Sequence, residues 1–191
     1  INKLKDEDIH FFIVFAFAQF LSSKILELPS IACFNIHTSI LPKYRGAAPI
    51  QYAILNGDTS TGVSIQKMVK QMDAGDIAAF NEVAISENMT GGELYEKLMG
   101  QAPKTLYKLI EDLKSNKLTY QQQDEEKVSF APTLNKTDGH LDFKNQTFQQ
   151  IFNRVRALQP WPGTYCMLND KRLKVFRVEK QDEKLEPGVV S

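Results

Sequence analysis

Residues 9–17 of this 191-residue chain read IHFFIVFAF, and residues 31–36 read IACFNI. Both runs are almost continuously apolar, rich in β-branched and aromatic residues, and of strand length. This composition is typical of strands that are buried on both faces of a parallel sheet. Between them, Ser23–Leu28 forms a short helical pattern that ends before Pro29. Two such strands around a helix predict a βαβ unit within an α/β domain.

The residues after the second strand extend this α/β pattern. Thr38–Pro49 reads TSILPKYRGAAP, and a loop of that length in a compact domain usually carries a function. The elements predicted next are a helix at Ile50–Asn56, strands at Gly62–Met68 and Asp76–Ile85, and a helix from a Thr90–Glu93 capping box to Asn116, kinked or interrupted near Gly100–Pro103.

A change of character at Leu118 marks a second part of the chain. The elements predicted there are a helix that Thr147 caps and that runs through Leu158, then strands at Tyr165–Leu168 and Leu173–Val178 around a tight Asn169-Asp170 turn. We therefore predict a first domain at residues 1–135, a linker at 136–158, and the start of an all-β domain at 159–191.

Composition excludes several classes of protein. The 23 Lys and Arg residues balance 23 Asp and Glu, and 42% of the chain is hydrophobic, which excludes a disordered or strongly cationic chain. The longest apolar stretch, Ile9–Leu21, is shorter than the roughly 20 residues of a membrane span. Cys33 and Cys166 have neither CxxC spacing nor a histidine cluster, so we expect no structural metal and a cytoplasmic, soluble protein. Because the chain begins with Ile1, we expect a fragment.

The charge is balanced overall but uneven locally. The stretch from Arg154 to Lys180, beside Trp161 and Tyr165, holds seven basic residues against Asp170 and Glu179. These basic residues are Arg154, Arg156, Lys171, Arg172, Lys174, Arg177 and Lys180. Exposed Lys and Arg are ordinary, so a solvated surface competes here with a phosphate-binding one.

Three residues form a candidate reaction site. Asn35 and His37 alternate at the end of the second strand, so both side chains point to the same face there. An amide and an imidazole can together donate hydrogen bonds to one oxyanion. Asp73, in the QMDAGD turn, could move a proton beside them, with Asp76 as the competing carboxylate. Nucleotide-binding glycine motifs, a GxSxG nucleophile and metal-ligand spacing do not occur.

The stretch Phe34–Asp76 resembles the core of the formyltransferases that use 10-formyltetrahydrofolate. NIH, followed by SILPKYRG and then by MDAGD, carries the likeness. RGAAPIQ, TGVSIQKM and the later RALQPWPGTY favour the branch that acts on initiator methionyl-tRNA over the relative that acts on glycinamide ribonucleotide. The likeness extends from about Ile9 to Ser191.

The resemblance implies a fold and a reaction. The fold would be a Rossmann-like, mostly parallel sheet flanked by helices, followed by an OB-like all-β domain, with both domains incomplete in this chain. The reaction would transfer a formyl group from 10-formyltetrahydrofolate to the α-amine of a methionyl group in translation initiation, without a metal. The expected partners are this folate co-substrate and initiator methionyl-tRNA, and we expect a monomer without membrane attachment.

The resemblance also implies roles for individual residues. Asn35 would hold the formyl oxygen, His37 would stabilise the oxyanion, and Asp73 would orient or protonate His37 and help to take the proton from the amine. The expected folate contacts are the loop residues Ser39, Ile40, Leu41 and Pro42, and the pocket-edge residues Gln19, Phe20 and Leu21. The expected tRNA contacts are Arg154, Lys171, Arg172 and Lys174.

Two alternatives remain open. The first is another folate-dependent formyltransferase, which acts on a glycinamide-ribonucleotide or sugar-nucleotide amine through the same three residues. The second is a non-catalytic RNA-binding module built on the basic stretch with Trp161 and Tyr165. This second alternative leaves the arrangement of Asn35, His37 and Asp73 unexplained.

Overall fold

The structure, a computed structural model, describes residues 4, 7–17 and 19–180. The elements in chain order are β1 (Phe11–Phe15), α1 (Ser23–Leu26), β2 (Ala32–His37), β3 (Arg45–Gly46), α2 (Pro49–Leu55), β4 (Ser60–Lys67), β5 (Ile77–Ala84), α3 (Gly91–Lys114), β6 (Phe130–Ala131), α4 (Phe148–Ala157), β7 (Thr164–Leu168) and β8 (Lys171–Val175). The last eleven residues of the predicted C-terminal domain, 181–191, lie outside the described residues.

The central sheet has four strands in the order β1-β2-β4-β5. It confirms an α/β fold with flanking helices, and β1 pairs with β2 in parallel as predicted. The prediction of a mostly parallel sheet is wrong for the described strands, because β4 pairs antiparallel with both β2 and β5. The described sheet is therefore mixed.

The chain enters β4 at the carboxyl end of β2. A parallel neighbour of β2 would require a crossover that carries the chain back to the amino end of the sheet. The pairing instead places His37, the last residue of β2, opposite Ser64, the first residue of β4 that pairs with β2. The chain therefore makes no crossover here, although residues 38–59 are long enough for one.

Strand β1 differs from its prediction in burial. Its continuous apolar run indicates a strand buried on both faces, but Phe11–Val14 are only half-buried and Phe15 is exposed. Among the described residues, β1 lies at one edge of the sheet, so one long side of the strand contacts no other strand there. The position of a strand in its sheet depends on which strands pair with it, and the apolar run of β1 does not show this.

Helix α3 covers the central sheet and begins as predicted. Thr90 and Glu93 form the capping box, in which each side chain accepts a hydrogen bond from the other residue's backbone. The helix continues through Pro103, so the predicted interruption does not occur. Its buried residues at helical spacing, Leu94, Leu98, Ala102, Thr105 and Leu109, lie on both sides of the proline. This packed face outweighs the loss of one backbone hydrogen bond.

The second part of the chain, after Leu118, contains α4, which Thr147 caps as predicted. Ala157 and Leu158 at its end are fully buried in the main core. The hairpin β7–β8 follows, and its turn residues Asn169 and Asp170 have φ angles of 46° and 63°, as a tight two-residue hairpin turn requires. The hairpin agrees with the predicted all-β start.

Candidate active site

The site lies at the carboxyl end of β2, where Asn35 and His37 share one face of the sheet. In the antiparallel pairing with β4, Asn35 lies opposite Gln66 and His37 lies opposite Ser64. Residues that are directly opposite in such a pair have neighbouring side chains on the same face. Asn35, His37 and Gln66 are therefore brought together by strand register.

Asp73 reaches these residues from the turn between β4 and β5. It has a φ of 51°, a backbone conformation that Asp and Asn tolerate better than most residues. The turn packs closely on β4, because a Cβ at Gly75 would lie 1.6 Å from the carbonyl oxygen of Lys67. This close approach turns the carboxylate of Asp73 towards the sheet, where its side chain is 11% exposed.

Three N–H groups hold the Asp73 carboxylate. Gln66 Nε2 donates to Oδ1 at 2.8 Å, and Asn35 Nδ2 donates to the same oxygen at 3.4 Å. The backbone N–H of Gly46 donates to Oδ2 at 2.9 Å. All three partners are donors, so they fix the direction of a carboxylate that acts as an acceptor.

His37 connects Asp73 to the loop between β2 and α2. Its Nε2 lies 2.9 Å from the carbonyl oxygen of Tyr44. A carbonyl can only accept, so Nε2 carries the hydrogen and donates it. The other ring nitrogen, Nδ1, lies 3.7 Å from Asp73 Oδ2. Nδ1 is therefore the ring nitrogen that is free to exchange a proton beside the carboxylate.

These side chains lie at the base of a cleft of about 740 Å³, within the usual range for small-molecule sites. Asn35, His37 and Asp73 all line it, as do Gln19, Phe20 and Leu21. The structure thus brings the three predicted reaction residues and the predicted pocket edge together. Phe20 is 82% exposed at the rim, where it offers an aromatic face to a ligand.

The other four predicted folate contacts do not line the cleft. Ser39 and Leu41 are buried, and the Ser39 hydroxyl donates to the carbonyl of Lys43 at 2.5 Å. The backbone N–H of Leu41 donates to Ser64 Oγ at 3.1 Å, while Ile40 and Pro42 are half-buried within the same loop. The loop residues that reach the cleft are Thr38, Gly46 and Ala47. Ser39–Pro42 instead make contacts within the loop and with Ser64 of β4.

Sequence reasoning missed the residues that hold Asp73 in place. Gln66 and Gln123 are buried amides that contact the Asp73 turn, and Arg45 is 1% exposed and donates to Gln123. A glutamine inside the otherwise apolar and small-residue strand β4 is the one sequence signal that could have indicated Gln66. Arg45 and Gln123 have no such signal, because they lie in a polar loop and a polar segment.

The electrostatics around the site follow from burial and pairing. Burial, together with the neighbouring Asp58 carboxylate, raises the pKa of Tyr44 to about 12, so its hydroxyl stays neutral and donates to Asp58 at 2.9 Å. The hydrogen bond from Arg45 holds the pKa of Glu125 below its usual value. The competing carboxylate, Asp76, is exposed and does not line the cleft.

Two features are absent from the described residues, 4, 7–17 and 19–180. Within these residues, no group of three or more His, Cys, Asp or Glu side chains is placed to hold a metal ion. None of the described helices combines the length and the apolar composition that a membrane crossing requires.

The predicted tRNA contacts are spread over different surfaces. Arg154 donates to the carbonyl of Asp138, and Arg156, from the same basic stretch, is buried against Asn153. On β8, Arg172 and Lys174 share one face and Lys171 lies on the other, because successive side chains of a strand alternate. All three β8 side chains are exposed, as are Arg177 and Lys180 beyond the hairpin.

Comparison with solved structures shows a shared fold. A 4-N formyltransferase from Francisella tularensis superimposes with a TM-score of 0.79 at 22% identity, over 94% of this chain and 74% of that one. HypX from Aquifex aeolicus, solved in complex with tetrahydrofolic acid, superimposes with a TM-score of 0.78 at 17% identity, over 98% of this chain and 32% of that one.

Comparison with curated proteins shows closer sequence likeness. The methionyl-tRNA formyltransferase of Natranaerobius thermophilus is 43% identical over 92% of this chain and 56% of its own length. That of Clostridioides difficile is 40% identical over 96% of this chain and 59% of its own length. The chain thus spans less than two thirds of these relatives.

Two family models match the chain itself. The model described as Formyl transferase matches residues 1–110, more than half of the chain. The model described as Formyl transferase, C-terminal domain, matches residues 133–191. With the site geometry above, these matches establish that the chain belongs to the formyl transferase family.

Proposed function

We propose that this chain carries the catalytic site of an enzyme that transfers a formyl group from 10-formyltetrahydrofolate to the α-amine of initiator methionyl-tRNA. The observation that carries the proposal is the Asp73 carboxylate held against His37 Nδ1 and Asn35 Nδ2 at the base of an open cleft. About 40% identity to curated methionyl-tRNA formyltransferases supports this acceptor. We also propose the division into domains at residues 1–135 and 159–191, joined by 136–158.

The residues of the site suit acyl transfer to an amine. The amine nitrogen attacks the formyl carbon, its new C–N bond forms, and negative charge develops on the formyl oxygen. Asn35 Nδ2, whose bond to Asp73 is the longest of the three at 3.4 Å, donates to that oxygen. The pair of Asp73 and His37 Nδ1 accepts the amine proton. The bond from the formyl carbon to the folate nitrogen then breaks, and the pair returns a proton to that nitrogen as it leaves.

The cleft fits the folate co-substrate, which supplies an already activated formyl group. Apolar side chains that are exposed along it, Phe17, Phe20 and Met72, can pack against a planar pterin and its attached aromatic ring. Gln19 and Leu21 line the same end. The polar residues lie at the base, so the reacting carbon would be placed beside Asn35 and His37.

A sugar-nucleotide or glycinamide-ribonucleotide amine would use the same three residues. Solved sugar N-formyltransferases share the fold at 21–23% identity, which is evidence about the fold alone. The higher identity to the methionyl-tRNA enzymes favours the tRNA acceptor. A non-catalytic RNA-binding role is disfavoured because it gives the held carboxylate no purpose.

A formylation assay on the full-length protein tests the proposed function. We expect formylmethionyl-tRNA to form from charged initiator tRNA and 10-formyltetrahydrofolate, with no added metal. Glycinamide ribonucleotide and an amino-sugar nucleotide, tested as competing acceptors, should react far more slowly. Efficient formylation of either small acceptor, with none of the tRNA, would overturn the assignment of the acceptor.

The exposed basic side chains of β8 give a second prediction, on tRNA affinity. Changing Lys171, Arg172 and Lys174 together to Ala should weaken tRNA binding and leave folate affinity unchanged. Neutralising phosphates releases counterions, so affinity falls with salt. The slope of log K against log salt should therefore decrease by up to about one unit per lost phosphate contact. Titration with tRNA at several salt concentrations measures this slope.

The matched control for that experiment lies on α3. Lys104, Lys108 and Lys114 are exposed there, and changing all three to Ala removes the same charge at a different surface. We expect this control to keep the wild-type slope. If both triple variants gave the wild-type slope and affinity, the β8 residues would be only a solvated face.

A further inference from the structure

The side-chain amide of Gln123 uses all of its hydrogen-bonding groups inside the protein. Its Nε2 donates to the carbonyl of Gly75 at 2.7 Å and to that of Asp73 at 2.8 Å. Its Oε1 accepts from Arg45 Nε at 3.0 Å and from Arg45 Nη2 at 2.8 Å. Gln123 is 6% exposed and does not line the cleft, so it acts on the site without touching a substrate.

The main chain brings Gln123 to the turn by pairing with β5. Gln121, two residues earlier, exchanges two backbone hydrogen bonds with Ile77, each 2.8 Å long. This bridge holds the segment before β6 against the strand that follows the Asp73 turn. Gln123 thereby lies over the carbonyls on both sides of Ala74, although Asp73 is 50 positions away in sequence.

Arg45 determines which way round the Gln123 amide sits. A guanidinium only donates, so it requires Oε1 of Gln123 on its side and leaves Nε2 facing the two carbonyls. If the amide were flipped, its NH₂ group would face the N–H groups of Arg45, and its oxygen would face the carbonyl oxygens of Asp73 and Gly75. The charge of Arg45 is balanced by Glu125 Oε1 at 2.7 Å. A buried guanidinium, which only donates, thus fixes the orientation of the Gln123 amide.

The orientation of the Gln66 amide is fixed in the same way, and this amide contacts the Asp73 carboxylate. Gln66 Oε1 accepts from the backbone N–H of Gly75 at 3.1 Å, so its Nε2 must face Asp73 Oδ1, where it donates at 2.8 Å. Gln123 holds the carbonyl of Gly75, and Gln66 holds its N–H group. The two glutamines therefore hold the two peptide groups on either side of the Gly75 Cα.

We propose that Gln123 is a positioning residue for formyl transfer: it fixes the turn that presents Asp73 to His37, in an orientation set by Arg45. The inference rests on the proposed function. Without Gln123, two carbonyls lose their donor and the turn can shift while the cleft lining remains intact. Displacement of a reacting group by about 1 Å can cost on the order of 10² in rate.

The test is a double-mutant cycle with Gln123→Met and Asp73→Asn in the full-length protein. Methionine has nearly the same shape as glutamine but donates no hydrogen bond. We expect Gln123→Met to lower kcat by about 10- to 10²-fold and to change KM for folate and tRNA by less than about 2-fold. In the Asp73→Asn background it should lower kcat no further, because Gln123 acts through that carboxylate.

The control variant is Gln122→Met, at the exposed neighbouring position, which should keep wild-type kcat. Thermal unfolding shows whether each variant is folded, and Gln123→Asn, which retains the amide, takes the place of Gln123→Met if that variant does not fold. Wild-type kcat in the Gln123 variant would overturn the inference. So would an equal loss of kcat with and without the Asp73 carboxylate.

A readout that does not need activity separates this inference from the proposed function. The chain has three histidines, so ¹⁵N NMR of the imidazoles can follow His37. Gln123→Met should shift the Nδ1 resonance of His37, and Gln122→Met should not. An unshifted resonance in Gln123→Met would count against the inference. A shift in a protein whose wild type fails to formylate methionyl-tRNA would refute only the proposed function.

Discussion

Asp73→Asn in the full-length enzyme should lower kcat by about 10²–10⁴-fold while the fold survives, because an amide of the same shape cannot accept the amine proton. The backbone tolerates the change, since Asn adopts the φ of 51° as readily as Asp does. The new NH₂ group would face a donor, either Gly46 N–H or Gln66 Nε2. We therefore also expect a free energy of unfolding about 1–3 kcal/mol lower.

Single-turnover kinetics measure the chemical step for this variant. The control is Asp76→Asn, at the exposed carboxylate of the same turn, which should change kcat by less than about 2-fold. Folded Asp73→Asn protein with near-normal single-turnover rate would refute the role of Asp73 as proton acceptor. Chemical denaturation of the two variants and of the wild type shows that any loss of rate is not a loss of fold.

Asn35→Ala should lower kcat by about 10²–10³-fold, the loss expected when one donor to an oxyanion is removed. His37→Ala should lower kcat by a similar factor, because it removes Nδ1, the ring nitrogen that exchanges the proton beside Asp73. Removing His37 also frees the Tyr44 carbonyl, and removing Asn35 takes one donor from Asp73. Because the three side chains form one hydrogen-bonded unit, the double variant should lose less than the product of the two single losses.

Steady-state kinetics with both substrates separate rate from binding for these variants. His10→Ala is the matched control, since His10 is an exposed histidine outside the cleft. If both site variants kept wild-type kcat and raised only KM for folate, the pair would bind the co-substrate without stabilising charge. Strictly multiplicative losses in the double variant would mean that Asn35 and His37 act independently.

The sequence predicted an element correctly wherever residues within a few positions of one another determine it. The capping box at Thr90 and the helix cap at Thr147 are confirmed, because the partner of each cap is three residues away. The Asn169-Asp170 turn is confirmed for the same reason, since both residues tolerate positive φ. The placement of Asn35 and His37 on one face follows from the two-residue period of a strand.

Contacts between distant segments could not be read in this way. Arg156 belongs to the basic stretch by composition, yet it is buried and donates to Asn153. Ser39 belongs to the functional loop by its motif, yet its hydroxyl is turned into that loop. No repeating pattern in the sequence indicates that a charged side chain is buried or in which direction a loop side chain points.

The sequence by itself determined the α/β class, the helix caps and the hairpin turn, and it indicated the three residues of the candidate site, because each depends on neighbouring residues or on a recognisable motif. Only the tertiary structure decided the mixed sheet, since the direction of β4 shows only in its pairing with β2 and β5. It alone revealed the hydrogen bonds by which Gln66 and Gln123 hold the Asp73 turn, with Arg45 orienting Gln123. Hydrogen bonds between residues as far apart as 78 positions form only when the chain has folded.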